Sequence, residues 1–287
     1  MGTTSLKPGL RLPKVLTAAL AVAAEAASVP SALDPDLLSG QPVIVANLRG
    51  TALVVAVVGV PVLLVSAWLA ARRGRLVPLV VWFGTAAYLV YQGVMLCFAT
   101  PMNALFLLYV ATLGLAIWTV ITLWPLVHVA GTTGAGYVDR QVPYRLVASF
   151  LGVAALLNAL VWLLRVSPVM RTGEIPAAVV DSGLTTNPVL VQDLAFWLPV
   201  ALVVSVATWR RSSTAVLVAG SYLTFWVLEG ITVASDQYWG ARADASHPEL
   251  ASFDAVPGAL VVTLLLLVPL VLLCRRLRAL PDNGQRA

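Results

Sequence analysis

The sequence contains few of the residues that form covalent or redox centres. Its only lysines, Lys7 and Lys14, precede the first long apolar stretch, so no long apolar helix can form a retinal Schiff base. Its two cysteines, Cys97 and Cys274, lie near the ends of two apolar stretches and are predicted on opposite sides of a membrane. They form no C-x-x-C motif, which argues against thiol–disulfide oxidation.

Histidine is equally scarce. His128 and His247 are the only two, and they too are predicted on opposite faces of the membrane. A bis-histidine haem or a histidine-rich di-iron site needs several imidazoles at one depth. The sequence also lacks a P-loop, a G-x-S-x-G motif and a D-D-x-x-D motif. We therefore predict no cofactor and no metal site, and we favour a role other than catalysis.

Charged residues make up only 11% of the chain, whereas hydrophobic residues make up 60%, with a mean hydropathy of +0.91. Seven long apolar stretches follow one another at about 51–71, 76–99, 103–127, 144–165, 189–209, 214–236 and 257–274. Each is near the roughly 20 residues that a helix needs to cross the hydrocarbon core. The sequence therefore predicts an all-α polytopic membrane protein.

A weaker apolar run, Val15–Leu33, is either a further membrane helix or the apolar region of a cleaved signal peptide. Ala24-Glu25-Ala26 has the small-x-small pattern of a cleavage site. The run is long for a signal peptide and contains an acidic residue, which favours a retained helix. We therefore predict a bundle of eight transmembrane helices, or of seven if the first is a cleaved signal.

Basic residues are distributed unequally between the two sets of loops. If the N-terminus is cytoplasmic and eight helices follow, only Arg49, Arg165, Arg171 and Arg242 of the 18 basic residues lie outside. By the positive-inside rule, both termini are predicted to be cytoplasmic in the plasma membrane. Because the positive charge is spread over short loops, it indicates contact with the lipid bilayer and no nucleic-acid partner.

A shift of 138 residues aligns two parts of the chain without a gap. Residues 61–73 then lie over residues 199–211 with six of thirteen positions identical, including the proline and both arginines. Coincidence is the alternative, because Val and Leu are abundant and Arg-Arg turns recur in short inner loops. A duplication predicts two parallel four-helix halves, 1–128 and 144–287, joined by a cytoplasmic linker at 129–143.

Apart from Glu25, the strongly polar residues of the predicted helices lie in the outer half of the membrane. An ionisable group inside a bilayer costs about 2.5–3.5 kcal/mol on insertion scales, so it must face protein or water. We predict an outward-facing polar pocket that is lined by Tyr88, Gln92, Asn103, Asn158, Asp193 and Glu229, with Arg49 or Arg165 at its rim. Four further candidate ligand-binding residues are Tyr91, Tyr222, Asp236 and Asn187.

These residues also have a structural interpretation. Asn and Gln commonly hold helices together, and Tyr commonly anchors a helix at the interface. Asp193 and Asp236 lie near the boundary, where a carboxylate can reach headgroups or water. Glu229 is the strongest functional candidate, because it lies about 10 Å below the outer end of its helix and needs a partner. The predicted partners of this carboxylate are Tyr91, Asn158 and Arg165.

The outer loop at roughly 237–256 is the longest clearly polar one, and it contains His247 near Asp244 and Glu249. Carboxylates and an imidazole are metal ligands, but one imidazole with acids is a weak pattern. A solvated loop without a metal is therefore the favoured interpretation.

Three runs of sequence look like parts of a known family. They are Arg49-Gly-Thr-Ala-Leu53, the segment from Tyr91-Gln-Gly through Pro101-Met-Asn-Ala-Leu-Phe-Leu-Leu-Tyr109, and Thr186-Asn-Pro-Val-Leu-Val-Gln-Asp-Leu-Ala-Phe-Trp-Leu-Pro199. They resemble segments of an uncharacterised family of bacterial multi-pass integral membrane proteins, over residues 45–235. The resemblance implies no known activity, and it draws attention to Asn103, Asn187 and Asp193 within the matching runs.

The leading functional interpretation is binding or transport of a small polar solute or ion, with Glu229 as a proton- or cation-binding carboxylate. One alternative is an outer-leaflet enzyme on a lipid-linked substrate, in which Asp193 and Glu229 act as general acid and base. The other is a non-catalytic subunit of a membrane assembly, whose polar residues hold helices together beside a partner membrane subunit. The intramembrane carboxylates and the candidate repeat favour the first.

Overall fold

The computed structural model describes residues 8–34, 36–133 and 142–278, and every regular element in these ranges is helical. Eight of these helices are long and apolar enough to cross a membrane. In chain order they are α1 (Arg11–Leu33), α2 (Pro42–Arg73), α3 (Leu76–Phe98), α4 (Phe106–Thr133), α5 (Tyr144–Thr172), α6 (Pro188–Trp209), α7 (Ser213–Ala243) and α8 (Ala255–Arg278). The predicted all-α polytopic membrane fold is therefore confirmed.

The apolar run Val15–Leu33 lies within α1, which packs against its neighbours in the bundle. Leu20 and Ala24 are fully buried. Thr17 accepts a hydrogen bond of 2.9 Å from the indole Nε1 of Trp82 on α3. This contact between two buried side chains joins the first helix to the third.

Two helices extend beyond their apolar stretches into polar sequence. α2 begins at Pro42, because Gln41 caps its first turn by accepting hydrogen bonds from two backbone N–H groups. α7 continues to Ala243, and Ser235 near the end of its apolar stretch donates to the backbone carbonyl of Gly50, in the extension of α2, at 2.9 Å. A hydropathy profile places the end of a span where polar residues begin. The backbone can stay helical beyond that point when another helix supplies hydrogen-bond partners for the polar residues.

Asn103 lies before α4, and not at the start of that helix as the apolar stretch predicted. Its side-chain oxygen accepts from the backbone N–H of Leu105 at 2.8 Å, and its amide donates to the carbonyl of Pro101 at 3.0 Å. Asparagine commonly closes turns in this way. The residue therefore shapes the connection between α3 and α4, and the helix begins at Phe106.

The most buried helices are α3 and α7, and they form the centre of the bundle. They approach closely at Gly84, where an added methyl group would collide with the backbone carbonyl of Ser221. The Ser221 hydroxyl in turn donates to the carbonyl of Val80 at 2.9 Å. Lipid is as apolar as the side chains, so helices in a membrane associate through such close contacts and interhelical hydrogen bonds.

Each of α2 and α6 contains a π-helical turn, at Val55–Gly59 and Asp193–Trp197. Pro61 and Pro199 follow these turns by two residues. Proline has no N–H, and its ring clashes with the carbonyl four residues earlier, so the helix must widen ahead of it. In both helices the residue before the proline donates its N–H to the carbonyl five residues earlier.

The two π-helical turns lie 138 residues apart, which is the shift that aligns the two parts of the sequence. The same shift places α1, α2, α3 and α4 over α5, α6, α7 and α8, with different end points. This correspondence supports the predicted duplication into two four-helix halves, which remains a prediction.

Part of the predicted linker between the halves is helical, because α4 continues to Thr133. Residues 134–141 of that linker lie outside the described residues, as do residues 1–7 and 279–287 at the termini.

Gly84→Ala is expected to destabilise the protein by about 1–3 kcal/mol, because α3 and α7 must separate to admit a methyl group. Gly114→Ala is the matched control, since a Cβ at this position on α4 meets no atom within 4 Å. The control is expected to be neutral or stabilising by up to about 1 kcal/mol. The free energy of unfolding in detergent is measured for both variants. Equal changes would contradict the close approach of α3 and α7 at Gly84.

Candidate functional site

Glu229 lies at the interface of α3 and α7, where Nε2 of Gln92 donates a hydrogen bond of 2.5 Å to its Oε2. Gln92 is only 1% exposed. The hydrogen-bond partner of Glu229 is thus Gln92, and not Tyr91, Asn158 or Arg165 as the sequence predicted. A neutral amide satisfies one lone pair of the carboxylate but does not balance its charge.

Two further carboxylates, Asp193 of α6 and Asp236 of α7, lie close enough to Glu229 to interact with it electrostatically. Asp236 is seven residues after Glu229, so both lie on the same side of α7. Within the described parts of the chain, none of the three carboxylates forms an ion pair with a basic side chain. Negative charge is therefore concentrated inside the bundle beside neutral partners. We call these three residues the carboxylate cluster.

Asp193 is held from two neighbouring helices. Its Oδ2 accepts a hydrogen bond of 2.8 Å from the indole Nε1 of Trp162 on α5, and it interacts with Tyr91 of α3. It is the first residue of the π-helical turn, and its carbonyl accepts the N–H of Leu198. The widened turn that Pro199 imposes therefore includes one member of the carboxylate cluster.

Aromatic side chains pack beside this cluster. Trp197 and Phe225 have ring centroids 4.8 Å apart, and Tyr91 lies 5.5 Å from Phe225. The Tyr222 hydroxyl donates to the backbone carbonyl of Trp197 at 2.8 Å, which joins α7 to the π-helical turn of α6. Four aromatic rings, those of Tyr91, Trp197, Tyr222 and Phe225, therefore pack against one another between α3, α6 and α7.

Tyr88 extends the same interface by one turn of α3. Its hydroxyl lies 2.8 Å from Oγ1 of Thr232, which itself donates to the carbonyl of Leu228 at 3.0 Å. Because a threonine hydroxyl has one proton, Tyr88 must be the donor in this pair. Tyr88 and Thr232 are therefore satisfied by each other and by the backbone.

Two polar atoms at the site have no hydrogen-bond partner among the described residues. They are Nε2 of Gln192, next to Asp193, and Oδ1 of Asp236. The carbonyl oxygen of the Gln192 side chain does have a partner, because Nε1 of Trp197 donates to it at 3.1 Å. Buried polar atoms without a partner are few in native proteins, and they indicate a bound water, an ion or a functional role.

The remaining predicted residues have other contacts. Asn187 caps α6, because its Oδ1 accepts from two backbone N–H groups at 3.0 and 3.2 Å. Asn158 lies within α5, and its side chain makes no hydrogen bond to the described residues. Arg49 donates to the carbonyl of Ala32 at 3.2 Å, and Arg165 lies over the Trp162 ring, 5.1 Å from its centroid.

Sequence reasoning placed most of these residues in one region but missed some of their contacts. Trp162 and Gln192 were not selected, although each is a polar-tipped residue next to a candidate in an apolar run. The π-helical turn was also missed, although a proline inside the apolar stretch, Pro199, follows it by two residues and is a signal for it. Glu229 interacts electrostatically with both Asp193 and Asp236, whereas Tyr222 lies beside Asp193 and is 14 residues from Asp236 on α7.

The residues of the loop between α7 and α8 form a separate polar group. His247 Nδ1 lies 2.8 Å from Oε1 of Glu249, and its Nε2 lies 3.9 Å from Oδ2 of Asp244. Asp181, from the connection before α6, joins His247 and Glu249, with one ligand atom of each within 4.8 Å of the others. Exposed groups of this kind are common without a metal, so the group is interpreted as a hydrogen-bonded connection between two loops.

No protein-family model matches the chain, and no curated protein or solved structure is similar to it. The resemblance to the bacterial membrane-protein family therefore rests on the three sequence runs alone. The fold and the carboxylate cluster define a multi-pass membrane protein with acidic groups inside its bundle, and its function has to be argued from that geometry.

The hydrogen bond that His247 donates to the carboxylate of Glu249 raises the pKa of His247 above its ordinary value of 6.5. This interaction is expected to stabilise the loop at acidic pH and to be lost as the pH rises through the folded pKa. NMR titration of His247 in a His128→Gln background measures the pKa of this imidazole directly. Glu249→Gln should lower the pKa, whereas Asp254→Asn in the same loop should leave it unchanged; a wild-type value at or below 6.5 would contradict the contact.

Proposed function

We propose that this protein binds a small cation or cationic polar solute and transports it across the membrane, with Glu229 as the proton- or cation-binding carboxylate. The observation that carries the proposal is the carboxylate cluster, which has only neutral hydrogen-bond partners within the described residues. The proposal concerns a positively charged ligand, because that charge complements the cluster.

Burial makes this arrangement costly for a purely structural role. An ionised carboxylate inside a bilayer is destabilising unless it is paired or reaches water, and intramembrane acids therefore mark ion and proton pathways. A structural carboxylate would be matched by an arginine or lysine, but Glu229 and Asp193 are matched by an amide and an indole N–H. A bound cation or proton would supply the missing positive charge.

The surroundings offer the ligand groups that such a cation needs. Carboxylate and side-chain amide oxygens are suited to hard cations, and Oδ1 of Asp236 is unpaired among the described residues. The rings of Trp197, Tyr222 and Tyr91 add faces that attract organic cations. The π-helical turn at Asp193 supports a functional reading, because such turns are frequent at functional sites.

Glu229→Gln is expected to leave the melting temperature in detergent unchanged or to raise it. The variant amide can still accept the hydrogen bond from Gln92, and an uncompensated buried charge is removed. In the wild type, NaCl, KCl or choline chloride should raise the melting temperature by about 3–5 °C at ten times Kd, relative to equal N-methylglucamine chloride. The variant should lose this response.

Glu25→Gln on α1 is the control, because it removes another carboxylate of a membrane helix and should keep the response to the cation. A large fall in the melting temperature of Glu229→Gln would mean that the carboxylate is structural, and would favour the role of an assembly subunit. If the wild type responds to none of the three cations, cation binding is rejected. Uptake of the stabilising cation into proteoliposomes then separates transport from binding alone.

We further propose that the protein lies in the plasma membrane with both termini cytoplasmic, as the distribution of arginines predicts. In a Cys97→Ala/Cys274→Ala background, His247→Cys should react with a membrane-impermeant maleimide in intact cells. Arg210→Cys, in the connection between α6 and α7, should react only after lysis. The reverse pattern would invert the topology.

A further inference from the structure

A second candidate site lies at the far end of α3 from the carboxylate cluster. A cavity of about 570 Å³ opens between the second half of α2 and the first turns of α3. Gln92 is sixteen residues from the start of α3, which corresponds to about 24 Å along the helix. The cavity is therefore separate from the cluster, and the volume lies within the range of about 300–1,000 Å³ that is usual for small-molecule sites.

The cavity is an apolar groove along the side of the bundle. Its apolar lining includes Pro61, Val62, Val65 and Leu69 of α2, and Pro78 and Val81 of α3. The one hydroxyl in the wall, that of Ser66, donates to the carbonyl of Leu63 at 3.0 Å and is therefore satisfied. From Pro61 to Arg73 the groove follows α2 for about 18 Å. A wall of this kind suits a hydrocarbon chain, and it offers no free hydrogen-bonding group to a polar solute.

Positive charge is concentrated at one end of this groove. Arg73 and Arg75 both line it and are exposed, on either side of Gly74, whose left-handed φ of 59° ends α2. Within the described residues neither arginine forms an ion pair. Arg72, in contrast, lies over the ring of Trp68, 4.6 Å from its centroid. Two arginines thus face the end of an apolar groove with their charge uncompensated.

The start of α3 adds hydrogen-bond donors at the same place. Arg75 is its N-cap residue, and no side chain caps the first turn. The N-terminus of a helix presents free N–H groups and a partial positive charge, which together favour an anion such as a phosphate. Guanidinium groups bind phosphate oxygens in the same way.

We propose that this groove binds an anionic phospholipid of the surrounding bilayer, with an acyl chain along α2 and α3 and the phosphate at Arg73 and Arg75. Charge complementarity at one end and an apolar wall along the rest identify a ligand that is both anionic and amphipathic. Basic pockets between membrane helices are known to take acidic headgroups. The proposal does not depend on the function of the carboxylate cluster.

The test measures the melting temperature of the purified full-length protein in detergent with added lipid. Phosphatidylglycerol should raise it by about 3 °C at ten times Kd, and native mass spectrometry should detect one bound molecule. Phosphatidylcholine with the same acyl chains, and glycerol phosphate without chains, should each have little effect. An equal response to phosphatidylcholine would overturn the anion site, and an equal response to glycerol phosphate would overturn the role of the acyl chain.

Matched variants test whether the response to phosphatidylglycerol arises at the groove. Arg73→Gln/Arg75→Gln should abolish the response to phosphatidylglycerol, whereas Arg72→Gln/Arg210→Gln, with the same change in net charge, should keep it. Val65→Trp fills the groove without changing charge and should also abolish the response, which provides a test even if the first variant does not fold. Loss of the response in the Arg72/Arg210 control would show a general effect of surface charge and would overturn the proposal. Glu229→Gln should retain the response.

Discussion

The whole structure depends on the requirement that polar groups inside a bilayer find partners within the protein, because hydrocarbon provides none. The backbone meets this requirement by forming helices. Hydroxyl groups meet it locally, as Thr85, Thr112 and Thr119 do by donating to the carbonyl four residues earlier. The carboxylate cluster meets it only in part, since amide and indole donors satisfy lone pairs without balancing charge. That difference separates a functional candidate from the other polar residues of the bundle.

Proline determines the backbone conformation at the site, but it does not determine which side chains the widened turn contains. Pro61 and Pro199 impose the same widened turn on α2 and α6, for the same steric reason. In α2 the turn Val55–Gly59 contains only apolar residues and glycine, whereas in α6 it begins with Asp193. If the two halves are related by duplication, they share this backbone feature, and only the second half has used it to place a carboxylate.

The two proposed sites lie at opposite ends of α3 and have opposite charge. Gln92 at one end binds Glu229 and belongs to a region of negative charge, whereas Arg75 at the other end belongs to a region of positive charge. If both proposals hold, a cation binds near one end of the helix and an acidic headgroup near the other. The helix that joins the two regions, α3, is the most buried of the eight long helices.

The all-α polytopic fold and the approximate bounds of the spans could be predicted from the sequence, with their number left as eight or seven. Hydropathy is a sum over neighbouring residues, so it can be read without knowledge of the fold. Only the tertiary structure decided the pairings, such as Gln92 with Glu229, which are 137 residues apart. Such a pairing depends on the rotation and approach of two helices, which the close contact of Gly84 with Ser221 sets for α3 and α7. The tertiary structure also decided that Asn103 closes the turn before α4, because that contact depends on where the backbone turns.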